Sequence, residues 1–189
     1  MGTLRYTAIC SIDGCTARSD GQFDFATPSA EVHAAVNAAE SDVRLEVYGR
    51  RMWETMEFWA TDAPLSDAAP DVVREFALQW RATPKVIASD SLAALDVPGV
   101  PGVRLEPRLT PERLAAIVAE ADGVVSIGGA TVAGVAVRAG LVDDVQLYVV
   151  PHTVGGGLRA LPDGVEAAWR LRETRVFADG VVWLRYGRA

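Results

Sequence analysis

Three short segments carry bare backbone or side chains suited to holding an anion, and each stands where strand-type residues give way to a helical or loop pattern. The first is Gly128-Gly129-Ala130-Thr131. Two residues without side chains let backbone N–H groups and the positive end of the following helix approach a negative charge, and the Thr131 hydroxyl adds a donor. The same glycines would also serve as a tight turn with close helix packing. The second is Gly49-Arg50-Arg51-Met52. Two guanidiniums in a first helical turn oppose the helix dipole unless they hold phosphate or carboxylate, the alternative being a solvated pair balanced by Glu54 and Glu57. The third is Ser89-Asp90-Ser91, a hydroxyl-lined site or a simple turn. The Gly128-Gly129 segment fits neither the G-x-G-x-x-G fingerprint nor the Walker phosphate loop, which disfavours a usual doubly wound dinucleotide domain and a nucleotide triphosphatase.

Carboxylates that could act on a substrate are few. Asp13, in Ser11-Ile12-Asp13-Gly14, is the best candidate, the alternative being an Asp-Gly turn residue bonded to its own backbone. Glu31 is expected in the first turn of a helix, where a role against the helix dipole also explains it. Asp24 and Phe25, just before that helix, either line a pocket or close a loop. His33 and His152 read as a surface and a loop residue rather than a catalytic pair, and Met52, Met56, Trp53 and Trp59 read as packing. Cys10 and Cys15 are the only cysteines, so neither a disulfide framework nor a zinc finger can be built, and no metal is expected.

The elements that must position these residues follow from hydrophobic periodicity. Strands are predicted over 4–10, 43–48, 84–89, 103–107, 123–127 and 142–151. Helices are predicted from Thr27 (N-cap) and Pro28 to about Ser41, over 50–59, over 71–81, from Thr110-Pro111 to about Ala121, and over 130–139 with Gly140 as the C-terminal cap. Residues 14–26, 61–69, 90–102 and 154–157 read as loops. At the end, residues 169–177 and 181–186 flank Asp179-Gly180, which predicts a hairpin with a two-residue turn. Strands alternating with helices imply an α/β layered domain with a mainly parallel central sheet and a C-terminal antiparallel hairpin. All three anion segments then follow the carboxyl ends of strands, where open α/β sheets place ligands, so one long polyanionic ligand could touch all three.

The 189 residues suit one domain, 1–189, with no repeat or linker. A net charge of −7 leaves no basic stripe for a phosphate backbone, which argues against nucleic acid as a main partner. The longest apolar stretch, Gly123 to Val137, falls short of the about 20 residues a membrane span needs, and the N-terminus lacks signal-peptide sections. A cytoplasmic protein acting on a small molecule is expected. Lys85 is the only lysine of the 18 cationic residues.

The segments YGRRMWETM, PKVIAS and VVSIGGATVAGVAVRAGLVDDVQLYVVPHTVGGG, with the opening SIDGCTA, resemble the dihydrofolate reductase superfamily. The closer likeness is to its branch containing the reductase domain of the bifunctional riboflavin-pathway deaminase-reductase and its stand-alone relatives. The order of motifs covers nearly the whole chain. The resemblance implies a dihydrofolate-reductase-like three-layer fold and hydride transfer from a reduced nicotinamide dinucleotide to a C=N or C=O group of a small heterocyclic or ribosylated substrate. It implies cofactor binding by Gly49, Arg50, Arg51 and Met52, by Ser89 and Asp90, and by Gly128, Gly129, Ala130 and Thr131. Asp13 would then orient substrate or relay a proton, with Asp24, Phe25 and Glu31 at the substrate pocket. Three residues depart from the family pattern: Met52 replaces Thr, Asp90 replaces a basic residue, and Ile127 stands where the riboflavin-pathway reductases carry Glu. Asp90 leaves NADH open beside NADPH. The alternatives are 5-amino-6-(5-phosphoribosylamino)uracil reductase itself and a non-catalytic dinucleotide-binding or dimeric scaffold. Similar proteins are often homodimers, and the hairpin with Trp169, Phe177 and Trp183 could supply an interface or belong to the core.

Overall fold

The protein is described by a computed structural model covering residues 2–92 and 100–189. Part of the connection expected over 90–102, including Pro98, lies outside the described residues. Six parallel strands and a two-stranded antiparallel edge make one eight-stranded sheet among the described residues. Its strands are β1 (Thr3–Ser11), β3 (Val43–Gly49), β4 (Lys85–Ala88), β5 (Val103–Glu106), β6 (Val124–Gly128), β7 (Asp144–Val150), β9 (Trp169–Val176) and β10 (Val182–Arg188). The order is β5-β4-β3-β6-β1-β7-β10-β9. From β5 to β7 every pair is parallel, while β10 runs antiparallel to β7 and β9 to β10. The carboxyl ends of β4, β3, β6 and β1 therefore share one pole of the sheet.

Among the described residues five α-helices cover the sheet: α1 (Ala30–Glu40), α2 (Arg50–Met56), α3 (Asp71–Ala82), α4 (Pro111–Glu120) and α5 (Ala130–Arg138). Alternation along β1 divides its two faces. Leu4, Tyr6, Ala8 and Cys10 join Val125, Ile127, Leu114, Ile117, Ala133 and Ala136 in the larger core. On the opposite face Arg5, Ser126, Glu46 and Lys85 stand abreast on neighbouring strands, and all four are buried. Farther along that face, Tyr48, Trp53, Trp80 and Ile87 form a second, aromatic core.

Several boundaries differ from expectation, each for a local reason. The first helix starts at Ala30 because the Ser29 hydroxyl accepts the Val32 N–H at 3.4 Å, while Thr27 closes the preceding turn by donating its N–H to Asp24 O at 3.2 Å. The helix after Gly49 ends at Met56 and continues as a 3-10 turn to Ala60. Residues 15–18, within the stretch read as a loop, form β2 (Cys15–Arg18), and the loop read over 154–157 gives way at Gly157 to β8 (Gly157–Arg159); the two pair antiparallel beside the end of β1. The hairpin turn has three residues rather than two: Phe177 N–H donates to Val181 O at 2.9 Å around Ala178, Asp179 and Gly180, the last at φ 85°. Phe177 is buried in a third cluster with Tyr148 and Val150, against which Trp183 packs, and Trp169 packs on the main core. These aromatics face inward; the exposed apolar side chains of β9 are Leu171 and Val176.

Candidate active site

Four strand ends stand in the order β4, β3, β6, β1, so the row from Ser89 through Gly49 and Gly128 to Ser11 spans three inter-strand steps, about 14 Å. At its centre two helix starts meet. A Cβ on Gly49, the N-cap of α2, would lie 2.6 Å from Val132 Cγ2 in the first turn of α5. A Cβ on Gly128 would lie 2.7 Å from the Tyr48 ring, and one on Gly129, at φ 93°, would lie 3.1 Å from Met52 Cβ. These contacts explain why glycine occupies all three positions and why the backbone is bare there.

The two helix ends differ from the rest. Ser29 caps α1, Thr110 caps α4, and α3 carries Asp71 in its first turn. Neither α2 nor α5 has a side-chain cap or a first-turn acid, which leaves their N–H groups and positive dipole ends open toward the same space. Arg50 pairs with Glu54 at 3.0 Å, one helical turn on, and Thr131 is exposed. The Met52 side chain lies against the Gly128-Gly129 turn, where a threonine hydroxyl was the family expectation.

At one end of the row, the buried Ser89 Oγ accepts N–H groups from Ser91 at 3.3 Å and Leu92 at 3.2 Å. Asp90 is engaged by its own neighbour: its Oδ1 accepts the Arg108 N–H at 2.6 Å. At the other end, Asp13 accepts the Ser11 hydroxyl at 2.5 Å, Val154 N–H at 3.2 Å and Gly155 N–H at 2.7 Å. The Ser11 bond, helped by those N–H groups, draws its carboxyl down to about 2, so near neutrality it is an anion holding the 154–155 loop and has no proton to give. Arg159, on β8, donates to Asp13 O at 2.8 Å. Gly157, at φ 147°, passes so close to β2 that a Cβ would lie 2.0 Å from Ala17 O.

Asp24 pairs with Arg18, whose guanidinium stands 5.2 Å over Phe25, and Phe25 stacks on His152 at 5.4 Å. This three-layer stack ties the 24–26 turn to the segment after β7. Glu31 is drawn elsewhere. Its carboxylate pairs with Arg175 of β9 at 2.8 Å and accepts Ala178 N–H at 3.3 Å, so it joins α1 to the hairpin. His33 is half-buried among Trp59 and Phe76, with ring centroids 5.8 and 5.6 Å away, rather than on the surface, and burial lowers its pKa.

A buried polar network lies behind the site, and no motif in the sequence marks it. Lys85 donates to Thr83 O at 2.6 Å and to Trp80 O at the end of α3, stands 3.0 Å from Glu46 Oε2, and lies 4.0 Å from the Trp80 ring centroid. Trp80 Nε1–H in turn donates to the Tyr48 hydroxyl at 3.2 Å. Burial pushes the Glu46 carboxyl up to about 7 against the pull of Lys85, and lowers the lysine. The Tyr48 ring that requires glycine at 128 is thus itself held by this network. The lone lysine among arginines was the only signal.

The family model for the RibD C-terminal domain matches residues 2–183. The chain belongs to the RibD C-terminal domain family. Among solved structures it is similar to a pyrimidine reductase-like protein from Corynebacterium diphtheriae (15% identity, TM-score 0.67, covering 98% of this chain and 91% of that one). It is also similar to the deaminase/5-amino-6-(5-phosphoribosylamino)uracil reductase of Thermotoga maritima (14%, 0.70), covering all of this chain and 57% of that one. A dihydrofolate reductase from Enterococcus faecalis complexed with NADP(H) matches at 15% identity and TM-score 0.63, over 99% and 96% of the two chains. No curated protein matches the sequence. The fold is that of dihydrofolate reductase, and membership in the RibD reductase-domain family makes the chain an oxidoreductase. No helix among the described residues is long and apolar enough to cross a membrane.

Proposed function

We propose that the chain reduces a C=N or C=O bond of a small heterocyclic or ribosylated molecule, with a reduced nicotinamide dinucleotide bound across the ends of β4, β3, β6 and β1. The observation that carries this reading is the meeting of α2 and α5 at Gly49 and Val132, both without a cap or a first-turn acid. Free N–H donors at two converging helix dipoles suit a pyrophosphate. The bare Gly128-Gly129 backbone admits it, Ala130 and Thr131 add N–H and hydroxyl donors, and Arg50 and Arg51 flank it. Met52 contributes its backbone N–H but no hydroxyl. Ser89 and Asp90 lie at the adenosine end of the row.

When bound, the cofactor supplies the hydride. The chain's own residues bind and orient. Asp13 acts as a positioning residue, since its anionic carboxylate fixes the loop at the mouth, and water supplies the proton. Asp24 and Phe25 edge the substrate side through the stack with Arg18 and His152; Glu31, held by the hairpin, is left out of the site. Reduction of 5-amino-6-(5-phosphoribosylamino)uracil is the second reading, favoured by family membership. Against it, Ile127 is an apolar residue wholly buried in the main core, at the position where the resemblance expects a Glu.

One family match over 2–183 and one continuous sheet support reading 1–189 as one domain. The exposed Leu171 and Val176 on the edge strand support a homodimer, which sedimentation would check. The test of function is titration with NADPH and with NADH, followed by quenching of tryptophan fluorescence. Substrate-dependent oxidation of the bound cofactor would then be followed with a panel of carbonyl, imine and pterin compounds. Saturable binding of one dinucleotide is expected. Folded protein that binds neither would overturn the reading, and binding without turnover of any compound would favour the scaffold.

A further inference from the structure

Asp90 places a carboxylate at the adenosine end of the row, where a 2′-phosphate would be repelled. The structure shows what that carboxylate does. β4 and β5 run parallel with Ala88 opposite Glu106, and the two chains stay together beyond their paired ends, since Ser89 N–H donates to Glu106 O at 3.3 Å. Two residues later Arg108 takes a left-handed backbone, φ 53°, the only non-glycine to do so among the described residues. That turn brings the Arg108 N–H to Asp90 Oδ1 at 2.6 Å. The carboxylate is thus engaged by a backbone N–H, and the residue that donates it is an arginine. The nearest acid on β5 does not compete for this cation, because Glu106 is taken by Arg113 at 2.9 Å. Arg108 itself is exposed on the rim that carries Ser89.

We propose that Arg108 is a specificity-determining residue: Asp90 holds the turn that presents it, and its guanidinium takes the 2′-phosphate of NADPH, so this chain prefers NADPH despite the acid at position 90. This rests on the dinucleotide site proposed above. The left-handed backbone at 108 provides a clean variant, because glycine adopts that conformation without strain. Arg108→Gly keeps the turn and removes the guanidinium, and Arg108→Lys restores a charge.

The test is the dissociation constants of NADPH and NADH, and of 2′-AMP against 5′-AMP as fragments, for wild type and both variants at low and moderate salt. Wild type is expected to favour NADPH. Arg108→Gly should weaken NADPH and 2′-AMP about tenfold or more, the scale of one charge-assisted contact, and leave NADH within about twofold. It should also flatten the salt dependence of NADPH binding, and Arg108→Lys should recover part of the loss. An unchanged NADPH-to-NADH ratio in Arg108→Gly, or a wild type that prefers NADH, would overturn the assignment while leaving the dinucleotide site standing. Wild-type protein that binds neither dinucleotide would overturn the site and this assignment together.

Discussion

Replacing Lys85 with Met probes the buried network behind the glycine turn. The ammonium is fully buried, so no water replaces what it loses: the contact with Glu46 at 3.0 Å and the bonds to Thr83 O and Trp80 O. Breaking a buried pair by removing one partner costs about 3–5 kcal/mol, because the other charge and the freed carbonyls stay desolvated. At about 2–4 °C per kcal/mol for a chain of this size, Tm should fall by about 6–20 °C. The pH dependence has a definite sign. Burial already raises Glu46 to about 7, and without its cation the carboxyl rises further. Below about pH 7 both folded proteins hold this proton, so the deficit against wild type stays level; above it the wild-type carboxyl ionises beside Lys85 while the variant keeps its proton, so the deficit grows as pH rises from 7 to 8. Glu46→Leu with Lys85→Met removes both charges and should recover at least about half of the loss. Urea melts of the three proteins at pH 5.5 and 8 measure all of this. A Lys85→Met deficit below about 1 kcal/mol at pH 8, or a double variant as unstable as the single one, would refute the reasoning.

Gly128→Ala forces a Cβ to 2.7 Å from the Tyr48 ring, whose hydroxyl is tied to Trp80; overpacking of this kind costs about 1–3 kcal/mol, read by thermal melting, and dinucleotide titration should weaken in parallel. For Asp13, whose folded-state carboxyl is drawn down to about 2, the stabilising contribution is complete above the ordinary carboxyl range and fades as pH falls toward the folded value. Asp13→Asn should therefore lose most against wild type above pH 5 and less near pH 3, and a deficit in urea melts that ignores pH would count against the loop-holding role. Lys85 is the only lysine and is wholly buried, so an amine-acylating reagent should leave its peptide unmodified in native protein and modify it after denaturation, as read by mass spectrometry.

The strand-to-helix junctions were legible because Gly49 and Gly128 interrupt apolar runs at the point where the period changes from two to 3.6. Thr110-Pro111 was equally clear, a cap and a first-turn proline in succession. The first helix was not, since Thr27-Pro28 repeats the cap-then-proline pattern of Thr110-Pro111, yet it is the Ser29 hydroxyl that reaches the Val32 N–H. β2 and β8 were invisible because each is four residues or fewer and their pairing joins segments about 140 residues apart, a contact no local pattern encodes. The same holds for Asp13 with Val154, and for Asp90 with Arg108. In each case a side chain that reads as a ligand contact is an acceptor for distant backbone. Lys85 reads locally as the polar start of a strand, and its burial depends on Glu46 of a neighbouring strand.

If the open helix starts at Gly49 and Gly129 hold the cofactor's pyrophosphate, as proposed, Thr131→Asp should move two readouts in opposite directions. An acid in the first turn of α5 complements a helix dipole that now has no partner, so the fold should gain about 0.3–1 kcal/mol. The same carboxylate would occupy and repel the anion site. Tm should be unchanged or higher, with NADPH affinity reduced about tenfold or more. Dinucleotide binding equal to wild type in that stable variant would contradict the pyrophosphate placement.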